Sequence, residues 1–144
     1  MSYVGDSGDP SAMMAARHIS VSIARNHRDV YEFVADPRNL GQWASGVGSR
    51  VEQIDGEWVA TTPQGPAKLR FVAPNALGVL DHAVRLPSGV EIHVPMRVIP
   101  NGPGSELVLT LLRQPEMTDE KFEEDAAWVR RDLEALKALL ERGA

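Results

Sequence analysis

The chain has 144 residues, a length that suits one domain able to bury roughly two-thirds of its unfolded surface. Hydrophobic residues make up 43% and charged residues 24%, a globular balance that excludes wholesale disorder and fibrous repeats. The net charge of -5 opposes nucleic acid and anionic lipid surfaces, and the absence of cysteine removes disulfides, thiolate zinc sites and a cysteine nucleophile. No apolar run approaches the roughly 18 residues of a membrane span, and the N-terminus lacks a basic stretch leading into an apolar signal core. The expectation is a cytoplasmic protein with no integral membrane segment and no nucleic-acid partner.

Residues 1–16 mix Gly, Asp, Ser and Pro around Met13-Met14-Ala15-Ala16 without a sustained period, and read as a flexible extension preceding a single domain over 17–144. From His18 the rhythm changes: Ile19, Val21 and Ile23 alternate with Ser20, Ser22 and Ala24, which predicts a half-buried strand. Asn26 suits a helix N-cap, and Val30, Phe33 and Val34 then share one face of a short helix. Asp36-Pro37 ends it and opens a second short helix that carries Leu40 and Trp43 inward.

Beyond Gly46 and Gly48 the chain reads as strands divided by turn chemistry. The turns are Asp55-Gly56, Pro63-Gln64-Gly65-Pro66, Pro74-Asn75-Ala76, Pro87-Ser88-Gly89 and Asn101-Gly102-Pro103-Gly104, which together predict an antiparallel meander. A two-residue Asp55-Gly56 turn pairs Ile54 with Glu57, so Gln53 opposes Trp58 and Val51 opposes Ala60 on one face. The clearest alternation is Val90, Ile92, Val94, Met96 and Val98 against Glu91, His93, Pro95 and Arg97. Pairing Leu86 with Val90 then sets Val84 opposite Ile92 and His82 opposite Val94, on the apolar side.

The last segment repeats Phe122, Ala126, Val129, Leu133, Leu136 and Leu140 at steps of four and three, the period of an amphipathic helix. Thr118 is its expected cap, Asp119 and Glu120 complement the positive end of its dipole, and Gly143 is its stop. A helix of this length with a single apolar stripe needs a large surface to cover, and the strand run is the surface available. The sheet therefore curves around it.

One strand, two short helices, a meander and a long terminal helix is the order of the helix-grip fold. The segment Ile19-Ser20-Val21-Ser22-Ile23, followed by Asp29-Val30-Tyr31-Glu32-Phe33-Val34-Ala35-Asp36-Pro37-Arg38-Asn39-Leu40-Gly41-Gln42-Trp43, resembles the opening of the START-like (SRPBCC) superfamily, especially its polyketide cyclase/dehydrase and lipid-transport branch. The resemblance runs from about Arg17 to Arg142. It implies an α+β fold in which an antiparallel sheet of about seven strands grips the C-terminal helix. It further implies a deep, mostly apolar cavity between sheet and helix, closed at one end by the Trp after Asp-Pro, here Trp43. Members use that cavity for lipids, hormones, polyketides and aromatic substrates, so fold alone does not fix chemistry.

The inward positions make Trp43, Gln53, Trp58, Phe71, His82, Val84, Val94, Met96, Leu109, Leu111, Phe122, Ala126 and Val129 the candidate ligand contacts, with Val51, Ala60 and Leu69 on the same lining. An imidazole among apolar neighbours, as at His82, orients a carbonyl or hydroxyl or moves a proton; alternatively it is a satisfied core histidine, since no acidic residue is expected beside it. Arg113, inward at the end of its strand, binds a carboxylate or enolate, or snorkels to water. No two histidines stand at metal spacing and the glycine pairs are hairpin turns, so neither a metal nor a cofactor is expected. The partner expected is a small hydrophobic ligand, bound or carried by a monomer or weak homodimer. The alternatives are a polyketide cyclase/dehydratase-like enzyme using the same cavity, with His82 or Arg113 assisting proton transfer, and a START-like protein adaptor. Asp81, Arg85, Glu91, His93 and Arg97 form a polar outer face of mixed sign, which fits solvent or a wet contact.

Overall fold

Strand β1 (Ala16–Ile23) turns Ile19, Val21 and Ile23 inward and leaves the alternate residues at the surface. It begins at the last residue of the expected extension. A computed structural model describes residues 13–45, 50–62 and 65–143. Most of that extension, and the turn residues Gly46, Gly48, Pro63 and Gln64, lie outside the described residues. Helix α1 (His27–Ala35) starts as the sequence predicts, with Asn26 Oδ1 accepting the Asp29 amide at 3.0 Å, and it buries Val30 and Val34. Asp36 then accepts the Arg38 amide, and Pro37 opens a 3-10 turn over Pro37–Gln42. The second expected helix is thus a tighter, shorter element.

Strands β2 (Val51–Ile54), β3 (Glu57–Thr62), β4 (Gly65–Phe71), β5 (His82–Arg85) and β6 (Glu91–Val94) form a five-stranded antiparallel sheet in sequential order. Both predicted registers hold: Gln53 opposes Trp58 and Val51 opposes Ala60, while His82 opposes Val94 and Val84 opposes Ile92. Strands β7 (Met96–Asn101) and β8 (Gly104–Leu112) join β1 in a three-stranded sheet of order β1-β8-β7.

The division into two sheets corrects the expected count of about seven strands to eight, and Pro95 is its physical reason. The run through Val98 keeps one buried face, with Ile92, Val94, Met96 and Val98 all inward. Proline, however, has no N–H to give to a ladder. Before it, β6 pairs with β5; after it, β7 pairs with β8, and the Pro95 carbonyl accepts the Thr110 amide at 3.0 Å. The free edge of β7 is covered by residues 78–80, through Leu80 N–H to the Met96 carbonyl at 2.9 Å and Val98 N–H to the Gly78 carbonyl at 2.9 Å. Gly78 makes that approach possible. Its φ is +75°, and a β-carbon there would run into the Val98 carbonyl oxygen. Asp81 secures the same junction: its Oδ1 accepts the Met96 amide at 2.8 Å, and its carboxylate accepts two bonds from the Arg97 guanidinium, at 3.1 and 2.9 Å.

Helix α2 (Asp119–Glu141) is the long terminal helix, capped by the Thr118 hydroxyl, which accepts the Lys121 amide at 3.1 Å. At roughly 1.5 Å per residue it crosses the domain. All of the predicted stripe, Phe122, Ala126, Val129, Leu133, Leu136 and Leu140, is buried. Gly143, at φ +99°, donates to the Leu140 carbonyl and stops it. Its main neighbour in the sheets is β1.

Candidate functional site

Burial differs sharply between the two sheets. On the three-stranded sheet the inward side chains are sealed: Ile19, Val98 and Leu107 are 1%, 2% and 0% exposed. On the concave face of the five-stranded sheet Ala60, Ala67, Leu69, Ile92 and Val94 are buried, but Trp58, Phe71, His82, Val84, Leu86 and Val90 retain accessible surface. Apolar side chains half-covered on a concave sheet are the material of a binding surface, because their transfer from water is incomplete until something else covers them.

A cavity of about 400 Å³, open to solvent, lies against this sheet. Trp58, Leu69, Phe71 and Leu80 border it, with Tyr31, Ala35 and Pro37 from α1 and the turn that follows. Arg70, Ala83, Arg85 and Glu91, whose side chains alternate to the outer face, border it as well. It is therefore a half-open cleft with a charged margin. The loop 72–80 forms part of the wall and is shaped by Asn75. The Asn75 side chain accepts from the Leu77 and Val79 amides at 3.0 and 3.1 Å and donates to the Ala73 and Val79 carbonyls at 3.1 and 3.0 Å. Its own amide donates to the Tyr31 hydroxyl at 2.9 Å, fastening the loop to α1.

His82 stacks on Phe71, its partner in the ladder, with ring centroids 4.7 Å apart and planes 25° from parallel. Its Nδ1 lies 3.0 Å from the Leu80 carbonyl oxygen. Desolvation pushes the imidazole below its ordinary value, with the Leu80 carbonyl and the Asp81 charge pulling the other way. The residue nevertheless keeps some accessible surface, although it is not among the residues that line the cavity.

The remaining candidates separate into groups. Met96, Phe122 and Ala126 are packed core. Val94, Leu109, Leu111 and Val129 are also buried, around a void of only about 30 Å³ that Asp125 borders from α2. Asp125 is itself 0% exposed, with Lys121 Nζ 3.5 Å away. Trp43 is 9% exposed, and its Nε1 is buried with no hydrogen-bond partner among the described residues. Gln53 has the predicted register but is exposed, because β2 is an edge strand beyond the covered part of the sheet. Arg113 is committed elsewhere. Its Nε and Nη2 donate to the Met117 carbonyl and its Nη1 to Asp119, which ties the β8–α2 connection and leaves no fork for an enolate.

Sequence reasoning missed Tyr31, Ala35 and the wall-forming role of Asn75. The signal for Tyr31 was its place in the motif before Asp36-Pro37; for Asn75, nothing in the chain's pattern distinguishes an asparagine that organises a loop from one that merely turns it. It also missed a polar bridge from the turn to α2, in which the Trp128 indole N–H and the Ser45 hydroxyl meet and that hydroxyl donates to Asp132 at 2.6 Å. Burial raises the Asp132 carboxyl, opposed by the two Ser45 hydrogen bonds. Among the described residues no cluster of three or more metal-ligating side chains occurs, and no helix is long and apolar enough to cross a membrane.

No protein-family model and no curated protein sequence matches the chain. Solved structures do. The protein XoxI from Bacillus cereus superposes with a TM-score of 0.70 at 15% identity, over 91% of this chain and 99% of that one. DynU16, from the dynemicin biosynthetic locus, gives 0.67 at 18% identity, over 89% of this chain and 48% of that one. Ara h 8.0201 gives 0.66 at 10% identity, over 90% and 99%.

Proposed function

With the helix-grip fold shared with these structures as the premise, we propose that the chain binds a small hydrophobic ligand in the cleft over the five-stranded sheet and carries it unchanged. The observation that supports this most is the half-covered pair Trp58 and Phe71, which border a cavity of about 400 Å³ together with Leu69 and Leu80. That volume suits a molecule of two to four fused rings or a short acyl chain, within the roughly 300–1,000 Å³ of small-molecule sites. The outer face carries the ion pairs Arg97–Asp81, Arg70–Glu91 and Lys68–Glu57, a wet surface unsuited to an obligate apolar partner.

Carriage is favoured over catalysis by the company His82 keeps. Its Nδ1 meets a backbone carbonyl, and the adjacent Asp81 carboxylate is held by Arg97 and the Met96 amide, so no acid orients the ring as a general base requires. The test is a panel of fatty acids, flat aromatics and polyketones, read by thermal shift and by mass spectrometry of the recovered compounds. The proposal expects stabilisation by at least one apolar class with the compound recovered intact, and loss of that stabilisation in Ala35→Phe, which fills the cleft from α1. Chemically altered product would replace carriage with catalysis. No stabilisation by any class would remove the ligand reading.

A further inference from the structure

The three-stranded sheet also turns a face outward, and that face is apolar at its centre. The registers set Arg97 beside Val108 and Ile99 beside Glu106, with Ser20 and Ser22 next on β1. Across the other edge of β7, the Val79–Arg97 bridge continues one step to bring Leu77 to Ile99. Leu77 is 82% exposed and Ile99 48%. Large apolar side chains this bare on a sheet face leave hydration free energy that a second surface can recover.

The four central residues form a rectangle with its charges at opposite corners: Arg97 and Ile99 along β7, Val108 and Glu106 along β8. Glu106 accepts the Ser22 hydroxyl through one oxygen and meets no cation among the described residues. Arg97 is held to Asp81 through Nε and Nη2, which leaves Nη1 as a directed donor. A second copy laid face to face can meet this rectangle about four in-plane two-fold axes. An axis along or across the strands stacks each charge on an apolar side chain, and the Arg97–Glu106 diagonal stacks like on like. The remaining diagonal stacks Ile99 on Ile99 and Val108 on Val108, and sets Arg97 over Glu106 of the other copy at two symmetric places. It crosses the two sheets at roughly 70–90°, close to the orthogonal class of sheet packing.

We propose that the chain pairs with a second copy of itself through this face, crossed about Ile99 and Val108. Four strand widths of about 4.8 Å give a footprint of about 400 Å² from each copy, about 800 Å² in all, which is the size of a weak and transient contact. The pairing does not depend on the ligand reading, since Ile99, Val108 and Glu106 do not border the cleft.

The test is sedimentation of the full chain from about 10 μM to about 1 mM, where a contact of this size should pass from monomer toward dimer. Ile99→Asp and Glu106→Arg, both on the outer face, should each weaken association about tenfold or more, the second by setting like charges against each other. Arg97→Glu should do the same, and mixing it with Glu106→Arg should restore association, because each then supplies the charge the other lacks. In a mixture of isotope-labelled and unlabelled native chain, Ile99 methyls of one copy should show nuclear Overhauser contacts to Ile99 of the other. A native chain that stays monomeric to the highest loading, or association that Ile99→Asp leaves unchanged, overturns the proposal. So does an associating native chain without the Ile99–Ile99 contact, which decides the geometry even if Arg97→Glu, deprived of Asp81, does not fold.

Discussion

The two sheets are built from similar strands yet do different work. On β1, β8 and β7 the inward apolar residues from Ile19 to Ile23, Met96 and Val98, and Leu107 to Leu111 are buried, with α2 against β1 and α1 against β7 and β8; on β2 to β6 the positions at Trp58, Phe71, His82 and Val84 stay half-covered. The long helix cannot seal both. It lies along β1, so the far sheet curves away with its concave face incompletely matched. Stability is concentrated in one half, and accessible apolar surface in the other.

Substitution should break that contrast in a graded order. Leu136→Ala, at a 0% exposed position of α2, should cost about 2–5 kcal/mol in chemical denaturation, because a sealed core cannot collapse around the lost atoms. Gly78→Ala should cost about 1–3 kcal/mol, since it demands a left-handed backbone from alanine and drives a β-carbon into the Val98 carbonyl oxygen. Thr118→Ala should remove about 1 kcal/mol by uncapping α2. Val84→Ala on the open face should cost less than Leu136→Ala, about 1 kcal/mol, and reveal itself mainly in weakened binding of an apolar probe. A Val84 loss as large as that at Leu136 would mean the five-stranded half is sealed too.

Acid should sharpen the same comparison, because both shifted groups lie where the five-stranded sheet meets the rest. Arg97 hydrogen bonding holds the Asp81 carboxyl below its ordinary value, so its contribution is present above the unfolded value and is lost as the pH falls through the folded one. Desolvation lowers His82 from 6.5, so the unfolded chain takes up that proton first and stability declines as the pH falls below about 6.5. His82→Phe should flatten the decline near pH 6, and Asp81→Asn should flatten it at lower pH, both measured as unfolding free energy against pH. An unchanged slope near pH 6 in His82→Phe would show that His82 titrates alike in both states.

Much of the architecture was legible in the chain because it rests on local rules. Asn26 and Thr118 cap where their side chains predict, the Asp55-Gly56 turn fixes the β2–β3 register, and a period of four and three residues names the buried stripe of α2. The alternation through Pro95 named the buried face correctly but concealed the change of ladder partner, since side-chain periodicity carries no information about which neighbour accepts a missing N–H. The site was less legible for the same kind of reason. Alternation says which face is inward, so it grouped Val94, Met96 and Leu109 with Trp58, Phe71 and His82; how far the helix covers that face depends on three-dimensional curvature. The partners of Arg113 were not legible because the Met117 carbonyl and Asp119 that hold it come from the turn into α2.

The most direct measurement is a set of intermolecular nuclear Overhauser contacts between bound 2-methoxynaphthalene and the protein. Contacts to Trp58, Phe71 and Val84, with none to Ile19, Leu107 or Leu136, are the predicted result. Contacts confined to the three-stranded half, or to outward apolar residues such as Leu77 and Ile99, would contradict a binding cleft over the five-stranded sheet.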